Sequence, residues 1–300
     1  MQITRIYSYA GYECIKIENE VIALWVTHAV GPRIIGLEIN GGGNLFAELP
    51  DTTADCPGVG VYKFRGGHRL WHAPEDPRRT YLPDDLPLDV GESTAGIKFT
   101  QPVEPQTGIE KSLTVVLPNQ QAQVIVNHQL QNHGSQPVEL AAWAITQFKP
   151  GGAAILPQIR TPADEYGLLP NRQIALWPYT QANSDHIAWG DQFIFIHANM
   201  IEGALKIGFP NPHGWIGYLR EKVLFIKKAA FYPEREYYDF GSSSECYCNP
   251  AFLELETLGP RTKLDPGESL THQETWMLYD QVDDEIAEKS IRNLMVRLGM

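Results

Sequence analysis

Apolar residues in this chain recur with period two, in short runs that glycine, proline, asparagine and aspartate keep cutting off. That pattern belongs to many short antiparallel strands and leaves little room for helices. Val21–Thr27, Arg33–Ile39, Ser112–Leu117, Val124–Gln131, Phe193–Ala198, Ala204–Phe209, Val223–Ala229, Phe252–Leu258 and Thr271–Tyr279 all read as strands. Turn signals such as Asn40-Gly41-Gly42-Gly43, Pro150-Gly151-Gly152 and Asp265-Pro266-Gly267 punctuate them. Only the tail differs. Ala287, Ile291, Leu294, Met295 and Leu298 share one helical face, with Asp283 or Asp284 as candidate caps. The expected architecture is all-β: a large antiparallel β-sandwich with a C-terminal helix packed on its outside. Residues 1–300 show no internal repeat or Ser/Gly linker and read as one domain.

Charge narrows the partners. Twenty-four Lys and Arg against 36 Asp and Glu give a net charge of -12, which repels nucleic acid and anionic membrane surfaces. No apolar stretch reaches the roughly 20 residues of a membrane span, and the opening has no signal-peptide core. The four cysteines lack zinc or redox spacing, which suits a cytoplasmic location. Phosphate-binding loops, dinucleotide fingerprints and nucleophile elbows are missing, so no cofactor is expected.

The densest chemistry lies in Arg65-Gly66-Gly67-His68-Arg69-Leu70-Trp71-His72-Ala73-Pro74-Glu75. Aromatic faces stack on the C–H faces of sugar rings, and Arg, His and Glu give directional bonds to hydroxyls, so the mixture suits a small-molecule carbohydrate. His68, Arg69, Trp71, His72 and Glu75 are therefore candidates. The spacing of His68 and His72 is that of a helical zinc pair, but the flanking glycines and proline oppose a helix, and no metal is expected. The proline-rich, acidic stretch 73–94 that follows reads as a loop over a sheet, able either to border a groove or to fill it.

Alternation in Phe252-Leu253-Glu254-Leu255-Glu256-Thr257-Leu258 sends Glu254 and Glu256 to one strand face. Two such neighbours can shift each other's protonation, and one raised pKa makes a usable acid or base. Thr271–Leu278 puts His272, Glu274 and Trp276 on one face and is expected to lie beside the Glu strand. His128 shares its face with Val124, Val126 and Leu130 and reads as core. Trp143, in a run apolar on both sides, defaults to the core but is also a candidate stacking platform. Tyr237, Tyr238, Asp239, Glu245 and Tyr247 form a polar aromatic group that either completes a pocket or is an ordinary loop.

The order of Gly31-Pro32-Arg33-Ile34-Ile35-Gly36-Leu37, the Gly-Gly-His turn at 66–68, Ser135-Gln136-Pro137-Val138-Glu139-Leu140, Leu253-Glu254-Leu255-Glu256-Thr257, Leu264-Asp265-Pro266-Gly267-Glu268 and Trp276 resembles the galactose mutarotase-like superfamily, in a bacterial branch distinct from the mutarotases themselves. The resemblance spans about Val21 to Leu278. It implies a supersandwich and an aldose 1-epimerase-like reaction, in which a late-strand glutamate takes the anomeric proton while a histidine protonates the ring oxygen. Glu256 best matches the base, with Glu254 as rival. The superfamily's acid histidine falls within Ala141-Ala142-Trp143-Ala144-Ile145-Thr146, where there is none. Either His68 or His72 supplies that proton, or the protein binds sugar without epimerising it.

Overall fold

The structure, a computed structural model, describes residues 2–93 and 96–300. Two antiparallel sheets, one of twelve strands and one of ten, face each other. All nine strands expected from alternation are present, most shifted by one to three residues at an end. The strand Gln123–Asn132 shows how: Val124, Val126, His128, Leu130 and Asn132 are buried and the residues between them are not. Each buried side chain points to the other sheet.

Between the layers lies one apolar core to which both sheets contribute. Phe46, Phe148, Phe225 and Trp276 meet there with ring centroids 4.9–6.4 Å apart. The centre of the larger sheet runs Ile34–Ile39, Gly60–Ala73, Val138–Phe148, Leu253–Leu258, Ser244–Cys248, Leu205–Phe209. From Leu140 onward, Val138–Phe148 is buried on both faces. Its inner face meets the core, and its outer face is roofed by side chains from neighbouring strands and loops.

The C-terminal helix, Glu288–Arg297, lies on the outside of the smaller sheet, where Ile291, Leu294 and Met295 pack against Ile155, Phe193, Phe195 and Trp215. Its cap differs from expectation. The residue before the first turn is Ala287, with no side-chain cap, because the helix starts at Glu288, beyond the reach of Asp283 and Asp284; Asp283 instead accepts from the Glu285 amide. The strand Ser269–Tyr279 also differs: it sits in the smaller sheet between Val223–Ala229 and Gln123–Asn132, not beside the Glu strand. The Asp-Pro-Gly turn thus carries the chain from one layer to the other. Among the described residues, no helix is long and apolar enough to cross a membrane.

Candidate functional site

The outer face of the larger sheet is a grid whose rows follow from strand register. One row holds Arg69, Ile145, Glu256 and Glu245; the next holds Gln147, Glu254, Tyr247 and Lys206; and Trp71 stands opposite Trp143 beside Leu258. A single period-two phase in each strand therefore brings six of the sequence-predicted residues, Arg69, Trp71, Trp143, Glu245, Glu254 and Glu256, to one surface. Gly66 and Gly67 lie in the middle of Gly60–Ala73, just before this face begins at Arg69. Both have positive φ, and a Cβ there would lie 1.9 Å from the Ala47 carbonyl oxygen and 2.2 Å from that of Ile34. The glycine pair thus serves backbone packing.

A cavity of about 420 Å³ opens on this face. Aromatic walls come from Phe64, Trp71, Tyr81, Trp143, Trp177, Tyr179, Tyr247 and Phe252, and Arg69, Glu75, Lys206, Asn249 and Glu254 supply its polar groups. Trp71 and Trp143 meet edge to face at 5.4 Å, and Tyr81 packs on Trp71 at 5.0 Å. Glu75 and Tyr81 come from the proline-rich loop, and the Tyr81 hydroxyl donates to Glu75 at 2.5 Å. Of the two alternatives the loop takes the first: it forms a wall and leaves the cavity open; Thr94, at its end, lies outside the described residues.

Two cations, each held by carboxylates, organise the site. Arg69 Nη2 and Gln147 Nε2 both donate to Glu254 Oε1 at 3.0 Å, and the Arg69 guanidinium lies 4.1 Å from the Trp71 ring centroid. Lys206 Nζ lies 2.9 Å from Glu256 Oε2 and 2.7 Å from Glu245 Oε2, over the rings of Trp143 and Trp177. Trp143 Nε1 donates to Glu256 Oε2 at 2.5 Å. Glu256 and Glu245 are fully buried beneath these groups, so Glu254 is the Glu-strand carboxylate that reaches the cavity. Burial raises the Glu254 pKa, Arg69 draws it back, and the neighbouring Glu256 charge adds to the rise. Glu245 is raised further by the same burial. Burial also opposes the Lys206 charge, but Glu245 and Glu256 outweigh it and hold that pKa well above the ordinary lysine value.

His68 and His72 are not in this site. They occupy the alternate positions of Gly60–Ala73, point between the sheets and are fully buried. His68 Nε2 lies 2.7 Å from His128 Nε2, and His68 Nδ1 lies 2.9 Å from Thr146 Oγ1. His128 Nδ1 donates to the His272 carbonyl at 2.8 Å, which leaves its Nε2 to accept from His68. Glu274 takes bonds from Lys227 at 2.9 Å, Trp276 Nε1 at 2.8 Å and Thr257 at 2.5 Å, and His272 Nε2 donates to Thr257 at 2.8 Å. One ligand atom each from His68, His128 and Glu274 falls within 4.8 Å of the others. Two ligands of a tetrahedral zinc stand roughly 3.3 Å apart, so the 2.7 Å imidazole pair has the spacing of a hydrogen bond. His72 lies 4.0 Å from Glu104, also between the layers. Burial depresses the pKa of all four histidines, and His272 is pushed down to about 3. The reading of His128 as core holds, and the expected face of His272, Glu274 and Trp276 exists but points inward.

Of the predicted site residues, Arg69, Trp71, Glu75, Trp143 and Glu254 line the cavity, Glu245 and Glu256 underlie it, and His68 and His72 lie behind the sheet. Lys206 escaped the sequence reading, although a lysine between Leu205 and Ile207 in an otherwise apolar strand is a usable signal, since such a charge stays buried only when paired.

No protein-family profile matches the chain, and no curated protein matches it. Solved structures do. The chain is similar to a TPR-domain containing protein from Parabacteroides distasonis, with TM-score 0.62, 14% identity, and 92% of this chain on 49% of that one, so it spans about half of that protein. It is similar to a galactose mutarotase-like protein from Lactobacillus casei, with TM-score 0.58, 13% identity, and 89% of this chain on 100% of that one. It also resembles a proposed aldose 1-epimerase from Klebsiella pneumoniae, with TM-score 0.61, 9% identity, and 99% of this chain on 86% of that one. These likenesses rest on the two facing sheets, and the chain has the galactose mutarotase-like sandwich fold.

Proposed function

We propose that the cavity on the outer face of the larger sheet binds a carbohydrate. The observation that carries this reading is the joining, in one open cavity, of Trp71, Trp143 and Tyr81 faces with the directional groups of Arg69, Glu254 and Lys206. Flat faces take up the C–H side of a pyranose, and charged donors and acceptors held in ion pairs read its hydroxyls without rearranging. The volume is that of an ordinary small-molecule site, on the order of 300–1,000 Å³. Titration of the protein with free hexoses, followed by tryptophan fluorescence, tests the reading. Saturable quenching that disappears in Trp71→Ala supports it, and a flat titration across the hexoses contradicts it.

One observation favours a second reading, anomer interconversion in the manner of an aldose 1-epimerase. Glu254 faces the cavity with a raised pKa, as a proton acceptor near neutral pH requires. It then takes the role that the sequence reading gave to Glu256. The donor for the ring oxygen is the weak point. No imidazole lines the cavity among the described residues, Lys206 holds its proton tightly, and burial and the Glu75 charge raise the Tyr81 pKa. Binding is thus the better supported function. Exchange NMR of α and β anomers separates the two: rates above the spontaneous value that fall in Glu254→Gln support epimerisation, and unchanged rates with saturable binding support a binding protein.

A further inference from the structure

If a sugar occupies this cavity, its charge class is written in the ion pairs around it. Both cations on the walls are already engaged by carboxylates: Arg69 by Glu254 at 3.0 Å, and Lys206 by Glu245 at 2.7 Å and Glu256 at 2.9 Å. Lys206 also lies 4.6 and 4.7 Å from the ring centroids of Trp143 and Trp177. Arg69 Nε and Nη1 make no hydrogen bond, but a phosphate or carboxylate drawn to either cation would have to share it with a carboxylate already in place and stand beside that like charge in a buried site, which is costly. The carboxylates are not matched in the same way. Glu75 lines the cavity, accepts one hydrogen bond from Tyr81, and makes no ion pair among the described residues. The uncommitted charge facing the ligand is therefore negative, and the surrounding aromatic faces carry the negative quadrupole that attracts cations.

We propose that the cavity selects amino sugars, with the ammonium group paired to Glu75, and discriminates against phosphorylated and carboxylated ones. This rests on the carbohydrate-binding reading. A protonated amino group needs no rearrangement, because Glu75 stands at the solvent side of the cavity, where a ligand substituent arrives with part of its hydration intact.

The test is calorimetric titration of the full chain at neutral pH with glucose, glucosamine, glucose 6-phosphate and glucuronate, and with the galacto counterparts. Glucosamine or galactosamine is expected to bind about two- to fivefold more tightly than its neutral parent, the scale of one partly exposed ion pair. The phosphate and uronate are expected to bind at least tenfold more weakly than the parent. Added salt narrows the amino-sugar advantage, and Glu75→Gln brings the ratio to about one, with circular dichroism confirming that the variant is folded. Tighter binding of an anionic member, or an amino-sugar preference that survives Glu75→Gln, overturns the proposal and leaves carbohydrate binding standing. Failure of the whole panel to bind removes the parent reading as well.

Discussion

His68 and Glu256 stand on opposite faces of one sheet. His68 reaches inward to His128 at 2.7 Å, and Glu256 lies on the outer side under Lys206 and Trp143. A sugar touching one cannot touch the other. His68→Gln should therefore act on stability, because it breaks a buried chain and strands the His128 ring, at a cost of about 1–3 kcal/mol. Urea denaturation is expected to show that loss while hexose affinity stays within about twofold. Unchanged stability with abolished affinity would return His68 to the site.

Acid should weaken the fold through the histidines between the layers. Burial holds His68, His128 and His272 below the usual imidazole pKa, with His272 at about 3. In the unfolded chain each titrates near 6.5, so below that pH the unfolded state binds protons that the folded state refuses. Their contribution is complete above about pH 6.5 and is lost as pH falls, by up to about 1.4 kcal/mol per pH unit for each ring. Burial opposes the Glu274 charge, but Lys227 and the histidines hold its pKa well below the carboxylate range, which adds a loss of the same sign below about pH 4.5. Glu245, raised by burial, works the other way, favouring the folded state more as pH falls. The urea midpoint at pH 5 should be lower than at pH 7, and His272→Asn should flatten the slope. A midpoint that rises on acidification would mean that these rings are charged in the folded protein or that Glu245 dominates.

Lys206 is the ammonium between Glu245 and Glu256 on the floor of the site. Lys206→Met leaves two buried carboxylates facing each other without a counter-charge, which should cost about 3–5 kcal/mol. The triple variant Lys206→Met, Glu245→Gln, Glu256→Gln removes the stranded charges and should recover much of that loss. Equal instability of the single and triple variants would show that packing of the lysine stem between Trp143 and Trp177 matters more than its charge.

Glu254 and Glu256 should separate cleanly, although they are two residues apart. Glu254 borders the cavity through an oxygen network shared with Arg69 and Gln147, and Glu256 is sealed. Glu254→Gln should weaken hexose binding about tenfold, as expected when a charge-assisted bond becomes a neutral one. Glu256→Gln should lower stability through the loss of its bonds to Lys206 and Trp143, with a smaller effect on affinity. The reverse ranking, read from titrations of both variants, would make Glu256 the ligand-facing group.

The sandwich was legible in the sequence because the period-two pattern is a local property: Gln123–Asn132 shows it in burial residue by residue, and Leu253–Leu258, buried throughout, keeps it as alternating apolar and polar side chains. The pairing of Glu254 with Glu256 on one face followed from the same rule. What alternation does not say is which face looks where. His68 and Arg69 are adjacent, equally polar and both buried, and only the other sheet, with His128 waiting on it, decides that the imidazole goes inward. For the same reason the partner of the Thr271–Tyr279 run was misread, since a Pro-Gly turn can close a hairpin or cross between layers. Trp177 and Tyr179 come from a segment far from the Glu strand in sequence and meet it only when the sheet is assembled.

The central claim is that a sugar sits on the outer face of the larger sheet, and a crystal structure of the protein grown with a hexose addresses it most directly. The account predicts a ring against Trp71 and Trp143, with hydroxyls bonded to Arg69 and Glu254. A ring bound elsewhere, with the cavity between those tryptophans left to solvent, would contradict it.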